Sequence, residues 1–375
     1  MLRTSHLSVV LGLLVAALAA AGAASARPHP GAAGQVVYVQ TNEPGGNHVV
    51  VFDRAGDGTL SRAGSYATGG EGAVAAGAAV DTLASQGSLA YDEASGLLFA
   101  VNAGSDTVSV FAASGDALTL VQTVPSGGAF PASVAVGGRL VYVLNAGGEG
   151  SVQGFRIAGG KLHAIQGSPR SLGLANGDPP DFLHSPGQVG FTPDGGRLLV
   201  TTKASTSAVD VFAVLPDGRL SETPAVTTSA TPVPFAFAFA PGGRVVVAEA
   251  GASTVSTYAL AADGTLGDPR SQPDGQAALC WIARAGGFYY VANAGSDTIS
   301  GYRVGADGTP SLLGVVGHTE TGAIDLAASA DGAFLYAESG GAGTVDAFRV
   351  EADGTLTKLG AVGGLPTGIE GIVAR

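Results

Sequence analysis

The chain has 375 residues, a formal net charge of −12, 60 glycines and a single cysteine. Its negative balance, with three lysines and no basic run, excludes nucleic acid as a partner, because phosphate binding needs clustered cations. With 46% apolar and only 13% charged residues, and no heptad or long helical period, it is not disordered and reads as globular β structure rich in turns.

Arg3 and His6 precede an apolar stretch, 7–21, followed by small residues ending in Ala24-Ser25-Ala26. A charged start, an apolar middle and an A-x-A site form the pattern of a secretory signal peptide spanning 1–26. The stretch is short beside the ~20 residues of a membrane span. The expectation is a secreted, extracellular protein with no membrane span once the signal is removed. No cysteine stands just after the apolar stretch, which excludes thioether lipidation there. Cys280 has no partner for a disulfide and sits in an apolar run, so it reads as buried filler. Residues 27–35 read as a flexible lead.

From residue 36 onward one phrase recurs. Phe288-Tyr289-Tyr290-Val291-Ala292-Asn293-Ala294-Gly295-Ser296-Asp297-Thr298-Ile299-Ser300-Gly301-Tyr302 is an apolar run, a Gly/Asp turn and a second run, which is a β-hairpin. A close copy spans 98–111, and weaker copies lie at 36–52, 141–155, 198–212, 245–258 and 334–348. Each unit of about 45 residues holds four short strands, the arrangement of a propeller blade. Complete blades are expected at 88–124, 131–169, 187–228, 234–272, 278–317 and 323–362. Residues 36–67 supply only three strands, and Gly368-Ile369-Glu370-Gly371-Ile372-Val373-Ala374 resembles the missing innermost one. The reading is therefore all-β: a seven-bladed β-propeller over 36–375, with four-stranded antiparallel blades. Its ring is closed by the C-terminal strand in the N-terminal blade, which removes the open sheet edges. Asp-Gly turns close the third hairpin of five units, at 57, 217, 263, 307 and 353; a I′ turn with both central residues at positive φ is expected there.

Two connections between blades, 68–87 and 173–186, are long, and the topology puts both on one face. That face also carries the turns between second and third strands. Long loops on a rigid scaffold concentrate function. At the end of the second strand the blades carry Asn42, Asn102, Asn145, Lys203, Glu249, Asn293 and Glu338. Asn there is explained by turn capping. Lys203 is not, and with Glu249 in the next blade it forms a candidate catalytic pair, able to polarise a carbonyl and activate water. His184, in the second long loop, is the third catalytic candidate. Gln86 and Ser88, at the end of the first long loop, and Gln188 and Trp281, on inner strands, are candidate substrate-binding residues; Trp281 also reads as core. No G-x-S-x-G, H-E-x-x-H or Walker loop occurs, and the histidines lack zinc spacing. No metal and no cofactor are expected.

Residues 36–375 resemble the bacterial lactonase family of seven-bladed propellers, which includes 6-phosphogluconolactonase-like proteins and is similar to 3-carboxymuconate cyclases. The resemblance is carried by Tyr38-Val39-Gln40-Thr41-Asn42, the Asp-Gly-Thr-Leu turns at 57–60, 263–266 and 353–356, Phe191-Thr192-Pro193-Asp194-Gly195-Gly196-Arg197-Leu198-Leu199-Val200, and the closing 368–374. It implies a monomeric lactonase-like hydrolase acting on a small sugar or carboxylated lactone. Where the family has a His-containing motif at the start of an inner strand, this chain reads Ser185-Pro186-Gly187-Gln188. The resemblance thus implies either a catalytic set rebuilt from His184, Gln188 and Lys203, or loss of the enzyme function. A second resemblance, of Phe99-Ala100-Val101-Asn102 and Tyr290-Val291-Ala292-Asn293 to surface-layer propeller repeats, implies instead a non-catalytic extracellular module binding a glycan-like ligand.

Overall fold

A computed structural model describes Leu2 and residues 35–375. Leu2 apart, the expected signal peptide at 1–26 and the lead up to residue 34 lie outside the described residues. Residues 35–375 form seven antiparallel sheets arranged around an axis, neighbours meeting through their innermost strands except that blade five's innermost strand lies against the second strand of blade four. In chain order the innermost strands of blades two to seven are Leu89–Asp92, Pro131–Gly137, Val189–Phe191, Pro234–Phe239, Leu279–Ala285 and Ala323–Ala328. Blade one takes its innermost strand from the other end of the chain: Ile372–Ala374 pairs with Val36–Gln40 in the register Val37↔Ala374, Tyr38↔Val373, Val39↔Ile372. The ring closes as expected. Arg54 Nη2 donates to the Arg375 carbonyl at 2.8 Å, while the Arg375 guanidinium lies 4.1 Å over Tyr91 of blade two.

Burial explains why the repeats were so legible. Second strands are covered on both faces by neighbouring blades, so Val36–Gln40 and Leu97–Asn102 are buried at every position and read as continuous apolar runs. Outer strands such as Leu60–Ala67 touch solvent and alternate. Only blade three departs from four strands, its outer edge being split into Lys161–Ala164 and Arg170–Ser171. A repeated tyrosine stitches blades together. The phenols of Tyr38, Tyr142, Tyr290 and Tyr336 each donate to a turn-glycine carbonyl of the following blade, at Gly115, Gly218, Gly354 and Gly58, over 2.7, 2.8, 3.0 and 2.9 Å.

The Asp-Gly turns differ from the I′ form expected. Gly58 is left-handed (φ 90°), but Asp57 is absent from the positive-φ residues, and the turn hydrogen bond runs from Gly58 N to the Ala55 carbonyl. Asp57 instead uses its carboxylate to accept the Thr59 N–H at 3.0 Å and its hydroxyl at 2.7 Å. The same pattern holds at Asp263, Asp307 and Asp353. A longer loop with one left-handed glycine needs only that one residue to tolerate positive φ. Among the described residues no helix is long and apolar enough to cross a membrane.

Candidate active site at the mouth of the channel

The two long connections lie on one face and touch. The Ala76 N–H donates to the Pro180 carbonyl at 2.8 Å, and the Phe182 N–H to the Ala76 carbonyl at 2.9 Å. The first connection then turns inward, and residues 81–88 plug the axis. Ser85 Oγ donates to the Ala132 carbonyl of blade three, and the Gln86 N–H to the Gly187 carbonyl at the entry to blade four. Across the axis, the Gln86 side chain makes two 2.9 Å bonds to the backbone of Ile282 in blade six. Trp281 Nε1 donates to the Ser85 carbonyl at 3.0 Å, with its ring edge-on to Phe235 at 5.0 Å. Gln86, expected to face a substrate, holds the plug instead, and Trp281 does so from the buried core position that its sequence context also suggested. Gln188 likewise accepts the Phe237 N–H at 2.7 Å, joining blade four to blade five. Ser88 is buried and its Oγ has no partner.

Four inner strands bulge at the end that meets the plug. The extra residues are Ala132, Phe235, Cys280 and Asp325. Bulges are common beside active sites because they re-aim a side chain.

Lys203 departs most from expectation. It is fully buried in a one-turn helix, Lys203–Thr206, inserted between the second and third strands of blade four. Its Nζ donates to the Ala84 carbonyl at 2.5 Å, the Phe182 carbonyl at 2.6 Å and Ser185 Oγ at 2.8 Å, using all three hydrogens. The rings of Phe182 and Phe235 lie 5.2 and 5.1 Å from the ammonium. Burial brings its pKa down to about 8, and Asp81 is the largest influence in the other direction. Lys203 therefore clamps both long loops and has no hydrogen left for a substrate carbonyl.

Glu249 is not its partner. This carboxylate is buried inside blade five and accepts hydroxyls from Ser229, Thr231, Ser256 and Tyr258. The expected Lys203–Glu249 pair is not formed because each is saturated by other groups. The same position explains the asparagines, which do not cap the following backbone as expected. Asn102 Nδ2 donates to Ser109 Oγ at 2.8 Å and Asn293 Nδ2 to Ser300 Oγ at 3.0 Å. A polar residue with serine seven positions on (102 and 109, 249 and 256, 293 and 300) was the available signal.

His184 stands on the rim, half exposed, with Nδ1 2.7 Å from Asp181 Oδ1. Asp181, which the sequence reading missed, was detectable as Asp-x-x-His. It also accepts the N–H groups of Leu183 and His184 at 3.0 and 3.1 Å. These bonds, the imidazole's first, hold its carboxyl below the ordinary range. A carboxylate only accepts, so the ring donates from Nδ1 and leaves Nε2 as a base. The turn at Lys203 sets this loop residue by residue. Besides the Lys203 bonds to Phe182 and Ser185, the Ala204 N–H donates to the Leu183 carbonyl and Ser205 Oγ to the His184 carbonyl, at 3.0 and 2.6 Å.

The family model "Lactonase, 7-bladed beta-propeller" matches residues 267–369. No curated protein sequence matches the chain. A protein from Lactobacillus plantarum is similar in structure with TM-score 0.71 and 21% identity, over 91% of this chain and 99% of its own. The periplasmic gluconolactonase PpgL of Pseudomonas aeruginosa gives TM-score 0.69 and 18% identity over 92% and 99%. A Bacteroides fragilis protein described as a candidate 6-phosphogluconolactonase gives 0.67 and 19% over 90% and 97%. The chain is thus a seven-bladed β-propeller that resembles the lactonase family, as its closing strand and Asp-Gly-Thr-Leu turns implied.

Proposed function

We propose that the chain is an exported hydrolase of a small sugar or carboxylated lactone, with His184 as general base and Asp181 as the residue that orients it. The observation that carries this reading is the 2.7 Å His184–Asp181 bond on the exposed rim. His184 Nε2 takes a proton from water as the water oxygen attacks the lactone carbonyl carbon. The ring C–O bond then breaks, and the departing alkoxide takes that proton back, giving a hydroxy acid. Lys203 acts as a positioning residue through the Phe182 and Ser185 contacts. The loop 173–186 carries Asp178 and Asp181 and no lysine or arginine, so a neutral lactone suits the rim better than an anionic or phosphorylated one.

The test is a lactone panel with the purified protein and the variants His184→Gln and Asp181→Asn. Loss of a general base costs about 10²–10⁴ in kcat, and loss of its orienting partner a smaller part of that. Hydrolysis unchanged by His184→Gln defeats the mechanism. Turnover of no lactone defeats the enzyme reading and leaves a binding propeller.

A further inference from the structure

Four carboxyl groups are buried where the plug meets the closing segment: Asp81, Asp325, Glu338 and Glu370, none more than 3% exposed. They come from the plug loop, the inner and second strands of blade seven, and the residues just before the closing strand. Backbone N–H groups serve all four: Ala84 to Asp81 at 2.6 Å, Leu326 to Asp325 at 2.8 Å, Gly371 to Glu338 at 3.0 Å and Leu83 to Glu370 at 3.2 Å, with the Ser85 N–H also turned to Asp81 and those of Gly87 and Ile372 to Asp325. Asp81 and Glu370 are within hydrogen-bond reach of each other. Glu338 Oε1 and the neighbouring Ser88 Oγ have no partner, and Asp81 Oδ2 gains one only when it and Glu370 share a proton. Lys203, from blade four, is the cation facing the group, and its hydrogens are committed elsewhere. The Cys280 thiol of blade six is the other titratable group turned toward this region, and Asp181 of the second long loop acts on Lys203 from the loop's exposed side. Among the described residues no three acidic, His or Cys side chains converge as a metal cage. What the cluster can hold is protons.

We propose that these carboxyls form a proton-held latch: protonated, they keep residues 81–88 seated on the axis and joined to the closing segment. When the protons leave, several negative charges face one committed lysine in a dry site, and the plug is driven out, opening that end of the channel. Burial is the leading cause that raises all four groups, and neighbouring acids add to it at Asp325, Glu338 and Glu370. Asp325 is pushed up to about 7, whereas a carboxyl in a released, hydrated loop returns to about 4. The latched state therefore binds more protons than the open one. It is favoured in acid and weakens as pH rises through neutrality. The latch does not depend on the lactonase reading.

Cys280, buried beside the plug and the chain's only thiol, reports on opening. The experiment measures its labelling by an aromatic disulfide at pH 6 and pH 8.5, normalised to glutathione at each pH. One carboxyl moving from about 4 to about 7 makes the open fraction rise about tenfold over that interval. The double variant Asp325→Asn/Glu338→Gln should cut the rise well below the wild type's, because only Asp81 and Glu370 then remain to titrate, and Glu338→Gln alone should reduce it less. Both replace buried acids with neutral isosteres, so the fold is retained; Trp281 emission, sensitive to the Ser85 contact, checks the seated state at pH 6. Flat normalised labelling in the wild type overturns the latch, as does a rise undiminished in the double variant.

Discussion

Replacing Lys203 by Met keeps an apolar stem between Phe182 and Phe235 but removes the ammonium that three loop acceptors share. The Ala84 and Phe182 carbonyls and Ser185 Oγ lose that donor in a buried site, at about 1–3 kcal/mol each. Against this, the variant no longer buries a charge. The fall of Lys203 from 10.5 to about 8 corresponds to about 3 kcal/mol. The net expectation at pH 7 is a loss of about 3 kcal/mol. Urea unfolding followed by Trp281 emission should show it as a midpoint lowered by about 1 M for a slope near 3 kcal/mol/M. The pH dependence gives a second check. The unfolded lysine holds its proton to 10.5 while the folded one releases it near 8, so the wild type gains stability as pH rises between those values. The Met variant has no such group, and the gap should widen by about 2 kcal/mol from pH 7 to pH 9.5. Equal midpoints at pH 7, or a gap that narrows with pH, would refute the clamp.

Two further substitutions probe buried acids outside the mouth. Asp210, on the third strand of blade four, is raised to about 6 by burial alone; Asp210→Asn should stabilise the protein by about 1–3 kcal/mol at pH 7.5, with the gain vanishing below pH ~4, as read in thermal melts. Glu249→Gln replaces an acceptor for four hydroxyls with one carbonyl oxygen and one donor, and should cost about 2 kcal/mol in the same melts; a melting point equal to wild type contradicts the bonding described for blade five.

The ring could be read from the amino-acid order because each blade's second strand is packed on both sides. Runs such as Val245–Glu249 and Phe288–Asn293 then carry no alternation to confuse with surface. The leftover Gly368–Ala374 identified the closing strand for the same reason: one blade was a strand short. The mouth was far less legible. Lys203 stood out by rarity, yet two of its partners are backbone carbonyls, at Ala84 and Phe182. Every residue carries a carbonyl, so such contacts leave no mark in the sequence. The carboxyl cluster gathers positions 81, 325, 338 and 370, which share no period and meet only because the ring closes. Bulges at Phe235, Cys280 and Asp325 depend on cross-strand register, which local patterning does not encode. Asp181 was a local feature passed over, three residues from the histidine it orients.

The strand that completes the first blade is assembled from residues more than 330 positions away from its partners, Val39↔Ile372 among them. During synthesis the early hairpin must therefore wait with its inner side unpaired until those late residues emerge. No sequence-local event can finish the circle, so its closure carries the loop-closure cost of a contact between the two ends of the chain. Until this meeting the chain is an unjoined row of hairpins, and only afterwards does it become a continuous circle without free sheet edges.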